Sequence, residues 1–214
     1  MIQLKDITLV IWDWNGTLLD DVAVCVDSIN MLLNERQLTP LDKTLYQQIF
    51  TFPVKDYYEK AGFNFGEEPF EIPAMQFMDL YRTNLNQAAL HQETISVLKQ
   101  LQSLGLKQAI LSAMEQELLV DLLQRYQIAD YFDQTFGIDN HFGAGKIERG
   151  KELIHSMKLN PNECLLIGDT LHDAEVAKSI GCRCLLFDGG HQSRIRLETS
   201  GHAVLSNLNE LFAL

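Results

Sequence analysis

Four short apolar runs constrain this chain more than any other feature. They are ITLVIW at 7–12, QAIL at 108–111, CLLI at 164–167 and CRCLLF at 182–187. Each is too short for a self-burying helix and too continuously apolar for a strand with one face in water, so they predict strands covered on both faces. Between and around the last three lie segments with helical spacing at 93–104, 115–126, 147–158 and 173–180, with Gly105 and Gly181 placed as C-terminal stops. Strands alternating with helices predict an α/β fold with a doubly wound parallel sheet.

Residues 18–90 break the rhythm. They carry helical patterns near 20–36, 41–50, 54–61 and 70–89 and no convincing buried strand. The expectation is a core of residues 1–17 and 91–214 with an all-helical cap, 18–90, inserted after the first strand. A chain of 214 residues suits one core with an insertion better than two equal domains. Ligands of open parallel sheets bind at the carboxyl ends of the strands, so the insertion is expected to cover that crevice.

Charge narrows the partners. Seventeen basic residues against 29 acidic ones leave a net charge of −12, which opposes attraction to nucleic acid or to an anionic membrane surface. Neither is expected as a partner. The same field repels a phosphorylated substrate, so phosphate chemistry would need a metal ion and local cations. No run of 18 apolar residues occurs, and Lys5 and Asp6 interrupt any N-terminal apolar segment, so a cytoplasmic location is expected. Cys25, Cys164, Cys182 and Cys184 lack paired zinc-ligand spacing and read as reduced, mostly buried thiols. A monomer and a small homo-oligomer both fit the composition.

Polar residues gather at the strand ends: Asp13 with Asn15 and Thr17, then Ser112, Lys146, and Asp169 with Asp173. A carboxylate at a strand end can attack phosphorus, a hydroxyl and an ammonium can hold phosphoryl oxygens, and further carboxylates can ligate a hard cation. Taken singly, each has an ordinary explanation. Asp before Gly is a common turn, Ser112 can cap a helix, lysines are usually solvated, and Gly168-Asp169-Thr170-Leu171-His172-Asp173 can be a capping turn. Their joint occurrence in this order, each at a strand terminus, favours phosphoryl transfer.

On these residues the chain resembles the haloacid dehalogenase superfamily. Asp13-Trp14-Asn15-Gly16-Thr17-Leu18 is similar to its first motif, Ser112 to its second, Lys146 to its third, and Gly168-Asp169-Thr170 with Asp173 to its fourth. The resemblance covers essentially the whole chain, including the helical cap after the first motif, and is closest to the phosphoglycolate-phosphatase-like branch. The resemblance implies that Asp13 attacks phosphorus to give an aspartyl phosphate, and that Ser112, Lys146 and the turn holding Thr17 bind the phosphoryl group. It implies a magnesium ion held by Asp13, the backbone carbonyl of Asn15 and Asp169, with Asp173 as ligand or support. The implied partner is a small phosphorylated metabolite. Lys151 competes for the third motif, but only Lys146 leaves a full helix before the strand near 164.

One position departs from the superfamily pattern. Its phosphatases carry a second aspartate two residues after the nucleophile, which protonates the leaving group and later activates water. Here that residue is Asn15, whose amide hydrogen-bonds but does not exchange a proton near neutral pH. Two readings follow: a phosphatase slowed by the missing acid, or a slow or non-catalytic phosphometabolite-binding protein. His172 and His191 are alternative proton carriers. In the cap, Lys55 is a candidate contact for a second anionic group, while Phe50, Phe52, Tyr57 and Tyr58 are expected to form the cap's own small core.

Overall fold

The computed structural model describes residues 3–138 and 145–213. In chain order the elements are β1 (Leu9–Trp12), β2 (Leu19–Asp20), α1 (Val22–Glu35), α2 (Lys43–Ile49), α3 (Val54–Ala61), α4 (Glu71–Asn84) and β3 (Ala89–Leu90). There follow α5 (Thr94–Ser103), β4 (Lys107–Glu115), α6 (Gln116–Arg125), β5 (Gln134–Ile138), α7 (Lys146–Met157), β6 (Cys164–Gly168), α8 (Leu171–Ile180), β7 (Arg183–Phe187), α9 (Arg194–Glu198) and β8 (Val204–Leu205).

Six strands form one parallel sheet in the order β5-β4-β1-β6-β7-β8. All four residues of β1 are buried, and they alternate between two cores. Val10 and Trp12 face the side that also receives Val97, Leu98 and Leu101 of α5 and Leu119, Leu122 and Leu123 of α6. Leu9 and Ile11 face Leu153 and Ile154 of α7 and Val176, Ala177 and Ile180 of α8. Burying each such side chain contributes roughly 1.5–3 kcal/mol, and a strand buried on both faces collects it at every residue. That is why the central strands read as unbroken apolar runs.

Register sets the functional edge. Trp12 lies opposite Ile110 on one side and Ile167 on the other, so the chain leaves β1 at Asp13 beside Ser112 of β4 and Asp169 after β6. The Asp13 amide still donates to the Ile167 carbonyl at 2.9 Å. All three side chains therefore emerge at the carboxyl edge of the sheet's centre, where β1 has neighbours reached by crossovers on both sides.

Helices α1–α4 lie between β2 and β3, which pair antiparallel through Leu19↔Leu90 and Asp20↔Ala89. The short ladder brings both ends of the helical segment back to the first strand. Asp42 caps α2 through the Leu45 amide, and Gly62, in the left-handed region at φ +108°, closes α3.

Three expectations shift. The strand expected at 108–111 runs through Glu115, so Ser112 stands within β4, and the register slips between Leu111 and Glu115. Strand β5 was not anticipated, because QTFGI mixes polar residues with a glycine as sheet-edge strands do. The pattern expected over 70–89 stops as an α-helix at Asn84 and tightens into a 3₁₀ turn, Leu85–Gln87. Among the described residues no helix is long and apolar enough to cross a membrane, and the four cysteines are free thiols.

Candidate active site

The turn after β1 carries the centre of the site. Gly16 sits at φ +73°, a conformation that favours glycine, and a Cβ there would stand 2.3 Å from Asp169 Oδ2 and 2.6 Å from His191 Cδ2. The backbone thus passes close against Asp169. Gly190 does the same from the loop after β7, where a Cβ would fall 2.1 Å from Asp169 Oδ2. With both side chains absent, the His191 amide donates to Asp169 Oδ2 at 2.6 Å and the Thr17 hydroxyl donates to Asp169 Oδ1 at 3.1 Å.

Lys146, the first residue of α7, is buried, and its Nζ donates to Asp13 Oδ1 and to Asp173 Oδ1, both at 2.7 Å. Lys151 is exposed further along α7. Asp173 has two tasks. Its Oδ2 accepts from the Thr170 amide at 3.0 Å and the Thr170 hydroxyl at 2.6 Å, completing a capping box at the start of α8. The capping-turn explanation of this motif and its place beside Asp13 are both correct.

Carboxylate oxygens of Asp13, Asp169 and Asp173 lie within 4.8 Å of one another, all buried. Lys146 supplies one positive charge among three acids. Burial, with Asp173 adding to it, pushes the Asp13 pKa up to about 6 although Lys146 pulls it down, and burial together with Asp13 and Asp173 raises that of Asp169 despite His191. For Asp173 burial is outweighed by Lys146 and Thr170, which hold its pKa below the usual carboxylate range. The trio is short of positive charge. An all-oxygen donor set of this kind suits a hard divalent cation such as Mg²⁺.

A second buried network adjoins the first. Asn15 Nδ2 donates to Asp21 Oδ2 and to the Tyr81 hydroxyl, both at 2.7 Å, and Tyr81 in turn donates to Asp21 Oδ2 at 2.7 Å. The Gly16 amide donates to Asp21 Oδ1 at 2.9 Å. His191 Nε2 stands 3.2 Å from that oxygen, and its Nδ1 is 2.9 Å from the Tyr46 hydroxyl. Burial alone would lower the His191 pKa, but Asp21 overrides it and raises the value to about 9. Reciprocally, His191 and the donors from Tyr81 and Asn15 outweigh burial and hold Asp21 low.

A cavity of about 390 Å³ opens over these groups, between the sheet edge and helices α2–α4. Asp13, Asn15, Ser112, Lys146 and Asp169 all reach its wall; Thr17 and Asp173 lie behind it. Ser112 is buried and its Oγ accepts from the Met114 amide at 3.0 Å. His191 lines the cavity with both ring nitrogens engaged, whereas His172 lines it with its ring packed on Phe52 at 4.8 Å. Phe50, Phe52, Tyr57 and Tyr58 do pack on one another, and they also form the cavity wall.

The residues that sequence reasoning missed are Asp21, Tyr46, Tyr81 and Gln192. Asp21 at the start of α1 resembles an ordinary helix cap, yet its side chain makes no cap bond. Gln192 accepts from the Leu171 amide at 2.8 Å and donates to the Phe50 carbonyl at 3.0 Å, tying α8 to the helical segment. Each acts on a partner distant in sequence, and no local pattern announces that.

A parallel α/β sheet with an acidic centre at its carboxyl edge and a helical segment over it defines a class of hydrolases. The sequence model of the haloacid dehalogenase-like hydrolases matches residues 10–187, and the chain belongs to that family. Among curated relatives, phosphoglycolate phosphatase 1 of Pseudomonas aeruginosa is 24% identical over 213 residues, covering 95% of this chain and 78% of its own. A phosphoglycolate phosphatase of Vibrio vulnificus is 27% identical over 188 residues, covering 83% of this chain and 82% of its own. Among solved structures, a haloacid dehalogenase-like hydrolase from Streptococcus pneumoniae superposes with a TM-score of 0.83 at 19% identity, over 98% of both chains.

Proposed function

We propose that this protein is a magnesium-dependent hydrolase of a small phosphomonoester, working through an aspartyl phosphate on Asp13. The observation that carries the reading is the position of Asp13: on the cavity wall, bonded to Lys146, and beside two further carboxylates. The naming of its relatives as phosphoglycolate phosphatases adds support.

In this reading Asp13, the Asn15 carbonyl and Asp169 hold Mg²⁺, with Asp173 in support, and the ion's chemistry is to neutralise charge on the phosphoryl oxygens. Lys146 and Ser112 orient the phosphoryl group, and the amides of the turn through Thr17 add donors. Asp13 Oδ attacks phosphorus while the ester P–O bond breaks and its electron pair leaves on the departing oxygen. Water then cleaves the acyl phosphate, returning the Asp13 carboxylate and releasing inorganic phosphate. Thr17 acts by fixing Asp169 rather than by touching substrate. The core of residues 1–17 and 91–214 supplies this chemistry and the cap, 18–90, encloses it. The setting is cytoplasmic and the substrate a small metabolite, bound by a monomer or small homo-oligomer without nucleic acid or membrane.

A second reading has one specific observation behind it. Asn15 is tied to Asp21 and Tyr81 and has no proton to exchange, which favours slow turnover or binding without turnover. General acid–base help is worth on the order of a hundred- to ten-thousand-fold in rate, so a protein without it still binds metal and phosphate. Phosphate release from 4-nitrophenyl phosphate with and without Mg²⁺ separates the two. Turnover that depends on Mg²⁺ and disappears in Asp13→Asn supports hydrolysis, and tight Mg²⁺-dependent phosphate binding without turnover supports the binding protein.

A further inference from the structure

The cavity beyond the phosphoryl site has a character that the phosphate chemistry does not require. Its wall is built largely from apolar side chains: Phe50, Phe52, Tyr58 and Phe77 from the helical segment, Met114 and Leu118 from the sheet side. The rings pack on one another, Phe50 against Phe52 at 5.6 Å and Tyr58 against Phe77 at 6.3 Å between centroids, so the wall is a preformed aromatic surface. At about 390 Å³ the space falls within the roughly 300–1,000 Å³ of small-ligand pockets. It holds far more than a phosphoryl group with a two-carbon acid.

Among the described residues, cations for a second anionic group are scarce there. Lys146 is committed to Asp13 and Asp173, and His191 to Asp21. Arg36 pairs with Glu68 and Arg82 with Glu115, and neither arginine is on the wall. Lys55 does reach the cavity, but it is exposed, with its amine 5.5 Å from the centroid of Phe65. A carboxylate enclosed among aromatic rings without a buried partner binds poorly, whereas an aromatic group matches the wall in shape and polarity.

The leaving oxygen supplies an independent argument. Asn15 donates to Asp21 and Tyr81, both His191 nitrogens are engaged, and His172 has its ring packed on Phe52 with Nδ1 3.3 Å from Glu175 Oε2, so the superfamily's acid position and the two histidines on the wall offer no proton aimed at the departing group. Turnover then favours a leaving group that departs as a weak base. A phenolate does so; an aliphatic alkoxide does not.

On the reading that the protein is a phosphomonoester hydrolase, we infer that its substrates are phosphomonoesters of phenols, with the aromatic leaving group seated against the Phe50, Phe52 and Phe77 wall. Asp13 Oδ bonds to phosphorus as the aryl C–O–P linkage breaks at its P–O bond, and the phenolate takes the electron pair. Water hydrolyses the aspartyl phosphate, and its proton balances the released phenol and phosphate.

The test compares three substrates with Mg²⁺ on wild type and on Phe77→Ala. Phenyl phosphate offers both an aromatic group and a good leaving oxygen, benzyl phosphate the ring with an alkoxide, and 2-phosphoglycolate neither. Phenyl phosphate should exceed 2-phosphoglycolate in kcat/KM by at least about tenfold, the scale on which apolar pockets discriminate. Benzyl phosphate should bind like phenyl phosphate and turn over more slowly. Phe77→Ala should raise KM for both aromatic esters by more than for 2-phosphoglycolate, with Phe77→Leu recovering part of the difference. Turnover that prefers 2-phosphoglycolate, or a Phe77→Ala effect equal on all three, overturns the inference while leaving hydrolysis standing. No turnover of any of the three overturns the hydrolase reading and this inference with it.

Discussion

Replacing Asn15 by Asp would insert the carboxylate that the family's phosphatases carry, and the structure makes this a demanding substitution. Asn15 Nδ2 is a donor 2.7 Å from Asp21 Oδ2. In Asn15→Asp an oxygen takes its place, so a half-buried carboxyl group faces the buried one of Asp21 unless they share a proton. The lost hydrogen bond to a charged acceptor alone is worth about 1.5–3 kcal/mol. For a chain of this size each kcal/mol lowers Tm by roughly 2–4 °C, giving a fall of about 3–12 °C before any repulsion is added. Urea unfolding of wild type, Asn15→Asp, Asp21→Asn and the double variant, without Mg²⁺, measures the interaction as a cycle. The double variant recreates an amide–carboxylate pair with its ends exchanged, so its loss should be smaller than the sum of the single losses by about 0.5–3 kcal/mol. The recovery stays incomplete, because Asp21→Asn also takes the counter-charge from His191 and an acceptor from the Gly16 amide. A single-variant loss within about 0.5 kcal/mol of wild type, as for surface changes, or strictly additive losses would refute the coupling of residues 15 and 21.

Other perturbations separate the charges at the centre. Lys146→Met keeps the length of the side chain but leaves Asp13 and Asp173 without their cation; stability should fall by about 3–5 kcal/mol in urea unfolding, and activity with 4-nitrophenyl phosphate by on the order of a hundred- to thousandfold. Chelation should stop turnover, and Mg²⁺ at a hundredfold excess over its Kd should add about 2.7 kcal/mol of stability, visible as a rise in Tm that Asp169→Asn removes. Gly190→Ala directs a methyl to 2.1 Å from Asp169 Oδ2, so calorimetric titration should show weaker Mg²⁺ binding even where the fold is retained; unchanged affinity would mean Asp169 is not a ligand.

What the sequence disclosed, and what it did not, follows from how locally each feature is encoded. Strands β1, β6 and β7 were legible because each is buried on both faces, so nearly every residue bears the apolar signature, Arg183 at the start of β7 being the exception. Strand β5 lies at the sheet edge and contains Gly137, whose Cβ would stand 2.7 Å from the Met114 carbonyl oxygen, so its composition reflects close approach rather than strand propensity. Asp13 and Asp169 were nameable from their places just past β1 and β6, whereas Ser112 within β4, and Lys146 and Asp173 in the first turns of α7 and α8, were nameable only as members of the joint pattern. Asp21 and Tyr81 were not, since their hydrogen bond joins residues 60 positions apart. The significance of Asn15 changed most. Its amide is the donor that a buried Asp21 requires, and residue 15 cannot be understood apart from that partner.

The account rests on a covalent bond between phosphorus and Asp13, and trapping that bond is its most direct measurement. Wild-type protein is mixed with Mg²⁺ and ³²P-labelled phenyl phosphate, quenched in acid within the first turnover, and digested for peptide mapping. The account predicts acid-stable label on the peptide carrying Asp13, a burst of phenol matching it in amount, and neither in Asp13→Asn. Steady release of phosphate with no label on that peptide at any quench time, or wild-type turnover by Asp13→Asn, would contradict it.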